Sequence, residues 1–313
     1  MPAGSIVVLG GGGFVGRHIV AKLVSDVYRV IVPTRRREAV KHLIVLPTVD
    51  VVEEDIHDPK VLERLFEGCE AVVNLVGIIN ETGRSTFDRV HVELTRKVIA
   101  ACRGARVPRL LHMSALGASA DAPSRYLKSK AAAEAIVVAS GLKWTIFRPS
   151  VIFGHEDRFL NMFARLARVA PVVALAAPQA RFQPVYVADV AQCFVRAIND
   201  EITFGGRYEL CGPRVYTLQQ LVTYVGEMSG AVRPIFTMGP ALSRLMASVL
   251  EHLPGKILSR DNLASMSKDN VCDCPFPAAF GLAPTALESV APLYLSPAAQ
   301  RSPFDRYRAE SGR

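Results

Sequence analysis

Two polar residues spaced four apart could exchange a proton with a substrate. Tyr126 and Lys130 lie in a segment with helical character, and an i, i+4 spacing places both side chains on one helix face. A lysine ammonium beside a phenol should stabilise the phenolate and lower the pKa of Tyr126 from about 10. Such a tyrosine can exchange a proton with a carbonyl or an alcohol. The hydroxyl of Ser114, just past a predicted strand, could orient the reacting oxygen.

A glycine-rich run near the amino terminus is the second feature suited to a ligand. It extends from Gly10 to Gly16, after a short apolar run and before a segment with helical spacing. Two patterns fit, Gly11-x-Gly13-x-x-Gly16 and Gly10-x-x-Gly13-x-x-Gly16, and both stay open. A turn without side chains lets the backbone approach a diphosphate, toward which the first N–H groups of the helix point. The run therefore predicts a dinucleotide site, and hydride transfer to or from its nicotinamide would complement proton exchange by the tyrosine.

The end of the second predicted strand indicates which dinucleotide is bound. A cofactor without a 2′-phosphate requires Asp or Glu there, about twenty residues after the glycines. The chain instead reads Pro33-Thr-Arg35-Arg36-Arg37, with no carboxylate. Arg35 and Arg36 could grip a 2′-phosphate and stack on the adenine, or could form a solvated basic helix start. NADP(H) is therefore preferred, and NAD(H) remains allowed.

Further contacts to the dinucleotide are predicted at the ends of two other strands. The Asp55 carboxylate, next to Ile56, could accept from the adenine amino group, and Glu54 or Asp58 could do the same. Val76 and Gly77 end a strand where a small residue lets the backbone run beside the cofactor. The residues predicted to contact the dinucleotide are Gly10, Gly13, Phe14, Val15, Gly16, Arg35, Arg36, Asp55, Ile56, Val76, Gly77, Lys130 and Pro149.

These side chains require a scaffold in which strands alternate with helices. Hydrophobic periodicity predicts strands at 5–9, 28–32, 49–52, 71–76, 110–113 and 144–147. It predicts helices at 14–25, 59–66, 87–103 and 125–140 between them, and at 157–169, 188–199 and 218–229 after them. Alternation of this kind implies an α/β fold, a Rossmann-type doubly wound parallel sheet. We expect residues 1–150 to form this domain, 151–299 a smaller, mostly helical lobe partly interleaved with it, and 300–313 a polar tail.

Composition limits the classes of protein and partner. The 313 residues carry a net charge of +8, which suits nucleotides, anionic lipid or acidic partners alike. The basic residues are scattered and the aromatic residues few, so nucleic-acid binding is not expected. The six cysteines are dispersed, without metal-ligand spacing, and predict reduced, mostly buried thiols. With no signal peptide or membrane span in the sequence, we expect a cytoplasmic protein.

One segment could attach the protein to a membrane or to a partner. Residues 238–253 place apolar side chains at helical intervals around Arg244. Core packing is the ordinary explanation of this spacing, and a docking face at the inner side of a membrane is the alternative.

The motifs together resemble a known family. Gly10-x-x-Gly13-x-x-Gly16, Ser114, Tyr126-x-x-x-Lys130 and Arg148-Pro149-Ser150, in this order, resemble the extended and atypical short-chain dehydrogenases/reductases. A closer resemblance is to the nucleotide-binding accessory subunits of respiratory complex I and their bacterial epimerase/dehydratase-like relatives. The segments that carry it are 124–127, 148–154, 156–161, 183–189, 260–262 and 283–288.

The resemblance implies two different functions. Members with active chemistry are NAD(P)-dependent oxidoreductases or epimerases, which here would act on a small or lipid-like substrate through Ser114, Tyr126 and Lys130. The complex I subunits are similar in fold and hold NADPH tightly, yet are regarded as structural. The alternative is therefore an accessory or assembly role in a quinone-linked membrane complex, with Lys130 retained to anchor the ribose.

Overall fold

The computed structural model describes residues 3–252 and 258–297; the predicted tail 300–313 lies outside them. The strands are β1 (Ala3–Leu9), β2 (Tyr28–Thr34), β3 (Val49–Glu53), β4 (Cys69–Asn74), β5 (Arg109–Met113), β6 (Lys143–Pro149), β7 (Ile152–Phe153), β8 (Val173–Leu175), β9 (Arg181–Phe182), β10 (Val185–Tyr186), β11 (Gly206–Leu210), β12 (Tyr216–Thr217) and β13 (Ile235–Thr237). The helices are α1 (Phe14–Ser25), α2 (Lys41–Ile44), α3 (Pro59–Phe66), α4 (Leu94–Gly104), α5 (Arg125–Val138), α6 (Phe159–Val169), α7 (Val187–Ala197), α8 (Leu218–Met228), α9 (Pro240–Leu250), α10 (Arg260–Met266), α11 (Leu287–Val290) and α12 (Pro292–Leu295).

The chain divides into two compact units. The described residues of the first are 3–149, 187–210 and 274–282. Those of the second are 150–186, 211–252, 258–273 and 283–297.

A parallel sheet organises the first unit. Among the described residues it has seven strands in the order β11-β6-β5-β4-β1-β2-β3. The predicted Rossmann-type α/β fold is confirmed, with β11 as an additional strand beside β6. The chain runs from β1 outward through β2 and β3, then restarts at β4 on the other side of β1. Ligands of doubly wound sheets bind at the carboxyl end of such a switch point, here between β1 and β4.

The apolar strand sequences explain why this sheet is covered on both faces. Ile6–Leu9 of β1 are fully buried, as expected of a parallel strand with helices on either side. Strands β1, β4, β5 and β6 contribute side chains to a core shared with α3, α4 and α5. Helix α3 begins where Asp58 accepts a hydrogen bond from the Lys60 N–H at 3.0 Å and Pro59 occupies the first turn.

The segment before α4 differs from the prediction. A single helix was expected over 87–103, but Asp88–Glu93 form a π-helical segment and α4 begins only at Leu94. Hydrophobic periodicity does not reveal the wider turn of a π-helix, because apolar residues continue through this segment. Short π-helical segments are frequent at functional sites, where the extra residue per turn redirects a side chain.

A buried arginine holds α7 to the sheet. Arg109 of β5 donates to the carbonyl oxygens of Ala197 and Ile198 at 2.5 and 3.2 Å, at the carboxyl end of α7. Its guanidinium also donates to the hydroxyls of Thr145 and Thr203 at 2.7 and 3.0 Å. The helix dipole favours a cation at this position. Burial still lowers the pKa of Arg109 to about 10.

The second unit has its own core. Side chains from α6, α8, α11 and α12 pack with those of the short strands β7, β8 and β9. The buried Asp157 carboxylate accepts from the Leu160 N–H at 2.6 Å and from the Tyr294 hydroxyl at 2.9 Å. Asp157, two residues before α6, therefore caps the first turn of this helix.

Two cysteines of the second unit form a disulfide. Cys211 and Cys272 are bonded across a sequence separation of 61 residues, so the prediction that all thiols are reduced is wrong for this pair. Sequence spacing could not identify it, because the partners are brought together only by the fold. Of the other cysteines, three are buried and Cys274 is exposed.

Candidate functional site

The glycine turn lies at the switch point of the sheet. Gly10 has a φ of +80°, and a Cβ on it would lie 3.3 Å from the Leu75 carbonyl carbon and the Val76 nitrogen. A Cβ on Gly16 would overlap the carbonyl oxygen of Gly10. Glycine is therefore required at both positions, one for conformation and one for close packing of α1 on the turn. Gly16 belongs to both glycine patterns, and a Cβ on Gly11 would also be crowded, 2.9 Å from Val32 Cγ1.

The amino terminus of α1 has the character of an anion site. Its cap residue, Gly13, offers no side chain to the first N–H groups, and no acidic residue lies in the first turn. Phe14 and Val15 supply backbone N–H groups at this end of the helix, which carries a partial positive charge. A diphosphate fits this cradle.

The end of β4 adjoins the glycine turn. The Leu75 N–H donates to the Leu9 carbonyl oxygen at 3.0 Å, and Val76 donates to the Asn74 side chain at 3.2 Å. A Cβ on Gly77 would lie 3.0 Å from the Lys130 Nζ atom. The missing side chain at Gly77 thus leaves room for the lysine amine beside the carboxyl end of β4.

The arginines after β2 lie on the surface. Arg35 and Arg36 are exposed, and Thr34 and Arg36 form a local turn in which the Arg36 N–H donates to the threonine hydroxyl at 3.3 Å. Glu53, at the end of the adjacent strand β3, has no sequence motif to mark it, and its carboxylate accepts from the Arg37 N–H at 2.9 Å. The pairing of Thr34 with Glu53 in the β2–β3 ladder brings this carboxylate to the strand end.

The three acidic residues after β3 have different partners. Glu54 forms an ion pair with Arg64, and Asp58 caps α3. The exposed Asp55 accepts from the His57 N–H at 2.9 Å, beside the half-buried Ile56. Of the three, Asp55 is the carboxylate engaged neither in that ion pair nor in the helix cap.

Helix α5 carries the tyrosine and the lysine. It begins at Ser124, whose hydroxyl accepts from the Leu127 N–H at 3.2 Å. The buried Lys130 Nζ donates to the Met113 carbonyl oxygen at 3.1 Å, one residue before Ser114. Lys130 and the end of β5 are therefore in direct contact.

Burial controls the protonation of both groups. It lowers the pKa of Lys130 to about 8, although the Glu134 carboxylate opposes this shift. It raises the pKa of Tyr126 to about 12. The expected lowering of the tyrosine pKa by Lys130 is therefore wrong, because desolvation of the phenolate dominates.

Ser114 and Pro149 lie at neighbouring strand ends. The Ser114 N–H donates to the Phe147 carbonyl oxygen at 2.8 Å, and the Leu116 N–H to that of Pro149 at 3.0 Å. The side chain of Ser114 is 3% exposed, and its hydroxyl finds no hydrogen-bond partner among the described residues. A buried polar atom of this kind calls for an explanation, and a bound ligand is one.

Two buried histidines lie near Lys130. The Nδ1 atom of His112, on β5, lies 3.3 Å from the Asn74 side-chain nitrogen. His91, in the π-helical segment, was missed because a lone histidine in an apolar helix pattern carries no motif. Within residues 3–252 and 258–297, no cluster of His, Cys, Asp and Glu could hold a metal ion.

Comparisons with known proteins identify the family of this chain. The profile of a family described as NAD(P)H-binding matches residues 10–201. The mouse mitochondrial NADH dehydrogenase [ubiquinone] 1 alpha subcomplex subunit 9 is 36% identical over 71% of this chain and 60% of its own length. A ceramide reductase of Caulobacter vibrioides is 32% identical over 73% of this chain and 71% of its own. The chain thus spans about three-fifths of the mouse relative.

Solved structures support the fold. A UDP-glucose 4-epimerase of Thermotoga maritima superposes with a TM-score of 0.72 at 20% identity, covering 96% of this chain and 99% of the epimerase. At that identity the likeness establishes the architecture alone. The profile match and the curated relatives show that the chain belongs to the NAD(P)H-binding family of Rossmann-type proteins, with mitochondrial NADH dehydrogenase subunits and a ceramide reductase among its relatives.

Proposed function

We propose that this chain binds NADP(H) and catalyses carbonyl–alcohol interconversion of the short-chain dehydrogenase/reductase type. The main observation in support is the contact between the buried Lys130 amine and the Met113 carbonyl oxygen, directly before the buried, unpartnered hydroxyl of Ser114. The contact brings two of the three expected catalytic groups to one strand end, and the third, Tyr126, precedes Lys130 by one helical turn.

Each residue has a role that its surroundings support. The bound nicotinamide would supply or accept hydride. Tyr126, whose pKa of about 12 keeps it protonated at neutral pH, donates its proton to the carbonyl oxygen of the substrate. Ser114 donates a hydrogen bond to the same oxygen. Lys130 donates hydrogen bonds to the ribose of the cofactor.

The preference for NADP(H) rests on the exposed Arg35 and Arg36. Glu53, at the end of the adjacent strand, accepts from the Arg37 N–H, and the side chains of Arg35 and Arg36 are exposed, where a 2′-phosphate could pair with them. Competitive titration tests this assignment. Replacing both arginines by serine should weaken NADPH binding about tenfold or more and leave NADH binding nearly unchanged. Tighter binding of NADH than of NADPH by the unaltered protein would reverse the assignment.

Tyr126→Phe tests the proposed catalysis. The variant should lose turnover while its dissociation constant for NADPH stays within about twofold of the parent, because the phenol hydroxyl serves the proton step. The relatives suggest two assays, oxidation of ceramide with NADP⁺ and epimerisation of UDP-glucose. Turnover unaffected by Tyr126→Phe would contradict the proposed mechanism.

A non-catalytic accessory role in a respiratory membrane complex is the second candidate. The likeness to mitochondrial complex I subunits favours it, as does an apolar stripe on α9, where Leu242, Leu245 and Val249 are exposed. The predicted apolar spacing continues to Leu253, which lies outside the described residues. Within those residues, no helix has both the length and the hydropathy to cross a bilayer. Two results would support this role. The protein should co-purify with a membrane complex, and Tyr126→Phe should leave the assembly of that complex unchanged.

A further inference from the structure

His91 connects two segments of the candidate site. Its Nε2 atom accepts a hydrogen bond from the Ile78 N–H at 3.0 Å, in the turn after β4. Its Nδ1 atom lies 2.8 Å from the hydroxyl oxygen of Ser129 on α5. The imidazole ring is therefore the bridge between the Gly77–Ile78 turn and the helix that carries Tyr126 and Lys130.

The hydrogen bonds fix the tautomer of this histidine. Because a backbone N–H can only donate, Nε2 must be unprotonated, and the single ring proton lies on Nδ1, from which it is donated to Ser129. The Ser129 hydroxyl then donates to the Tyr126 carbonyl oxygen at 2.7 Å. The chain of donors runs in one direction, from Ile78 through His91 and Ser129 to the backbone of Tyr126. Burial and the nearby Lys130 charge keep the ring neutral by lowering its pKa to about 2.

The ring also contributes to packing around Tyr126. It stacks on Phe87 with ring centroids 5.7 Å apart and meets the Tyr126 ring edge-on at 5.7 Å. The π-helical segment Asp88–Glu93 places His91 here, at a depth where it is 2% exposed. Aromatic contacts of this kind add orientation to the hydrogen bonds.

Gly77 shows how close the bridge lies to the lysine. A Cβ on this residue would be 3.0 Å from Lys130 Nζ and 3.4 Å from His91 Nε2. The backbone at Gly77 is therefore bordered on the same side by the lysine amine and the imidazole. A shift of the Gly77–Ile78 turn would change the space available to a ligand beside Lys130.

We propose that His91 is a positioning residue for the nicotinamide half of the cofactor. It acts by holding the Gly77–Ile78 turn at a fixed distance from the Tyr126–Lys130 helix. This inference rests on the proposed NADP(H) binding and assigns a residue to one half of that site. The glycine turn and Arg35, which would hold the diphosphate and the 2′-phosphate, do not depend on this bridge.

Calorimetric titration with two ligands tests the proposal. NADPH occupies both halves of the site, whereas 2′,5′-ADP lacks the nicotinamide, its ribose and the phosphate attached to that ribose. His91→Ala should weaken NADPH binding about tenfold and leave 2′,5′-ADP binding within about twofold. His91→Gln keeps one acceptor and one donor on a planar group and should recover most of the NADPH affinity. Ser129→Ala removes one hydrogen bond of the bridge and should weaken NADPH binding about threefold.

The possible results distinguish a failure of the His91 assignment from a failure of the proposed NADP(H) binding. Equal loss of both ligands in His91→Ala, with no recovery in His91→Gln, would mean a general structural role and would overturn the positioning assignment. Unchanged NADPH binding in a folded His91→Ala protein would overturn it as well. Should the parent protein bind neither ligand, the proposed NADP(H) binding fails and the assignment of His91 fails with it.

Discussion

The Lys130 amine donates a hydrogen bond to the Met113 carbonyl oxygen at 3.1 Å, which attaches α5 to the end of β5. The contact buries a cationic group deeply enough to lower its pKa to about 8. It also places the amine beside Gly77, at the switch point of the sheet. Burying the lysine amine lowers the stability of the folded protein, so we expect Lys130 to serve ligand binding and not folding.

Lys130→Met should therefore change the pH dependence of stability. In the unfolded chain lysine titrates near 10.4, so between pH 8 and that value the unfolded state binds more protons than the folded state. The free energy of unfolding of the parent should rise by about 2 kcal/mol from this group between pH 7 and 9.5, and the variant should lack that increment. Urea unfolding at both pH values measures the difference. Identical pH profiles would show that the lysine is not desolvated.

Acid should destabilise the protein through two histidines. Burial lowers the pKa of His91 to about 2 and that of His112 to about 3, with Lys130 adding to both shifts. Below about pH 6.5 the unfolded chain takes up protons that the folded protein does not, so the free energy of unfolding falls as the pH falls. His91→Gln should reduce the loss between pH 7.5 and 5.5 by about 1 kcal/mol in denaturant titrations. If the free energy of unfolding of His91→Gln falls with pH as steeply as that of the parent, the His91 ring is not neutral and buried.

Arg109→Met should be strongly destabilising. The substitution leaves the Ala197 and Ile198 carbonyl oxygens and two buried threonine hydroxyls without their donor. We expect a loss of about 2–4 kcal/mol in urea unfolding. Arg29→Met is the matched control, because its ion pair with Asp50 is exposed and should contribute less than about 1 kcal/mol. Equal effects of the two substitutions would contradict the structural role of the buried arginine.

Removal of the disulfide should weaken the second unit. The Cys211–Cys272 bond closes a long loop, so its loss is expected to cost about 2–4 kcal/mol. Thermal unfolding of Cys211→Ser, with and without a thiol reductant, measures this cost. Reductant should lower the Tm of the parent and not that of the variant, and Cys274→Ser should behave like the parent. No effect of reductant on the parent would indicate that the two thiols are not bonded in solution.

Local signals determined which parts of the structure could be predicted. Helix α1 and helix α3 were predicted with their observed bounds, because glycines precede one and Asp58-Pro59 opens the other. The pairing of strand β11 with β6 depends on contacts distant in sequence, which local periodicity does not report. The disulfide was missed for the same reason, whereas the π-helical segment was missed because apolar residues continue through its wider turn.

The candidate site was predictable only in part. Tyr126, Lys130 and the glycines stand at informative spacings, whereas Glu53 and His91 act through contacts that only the fold creates. The pKa of Tyr126 was predicted in the wrong direction, since sequence supplies the neighbouring charge but not the desolvation.

Calorimetric titration of the purified chain with NADPH and NADH tests the central claim most directly. We predict a single site for which NADPH is preferred. We also predict that Gly16→Val, whose side chain would collide with the backbone of Gly10 and Gly11, gives no heat of NADPH binding. An absence of heat with both nucleotides, in a parent protein that carries none from purification, would contradict a dinucleotide site at this turn.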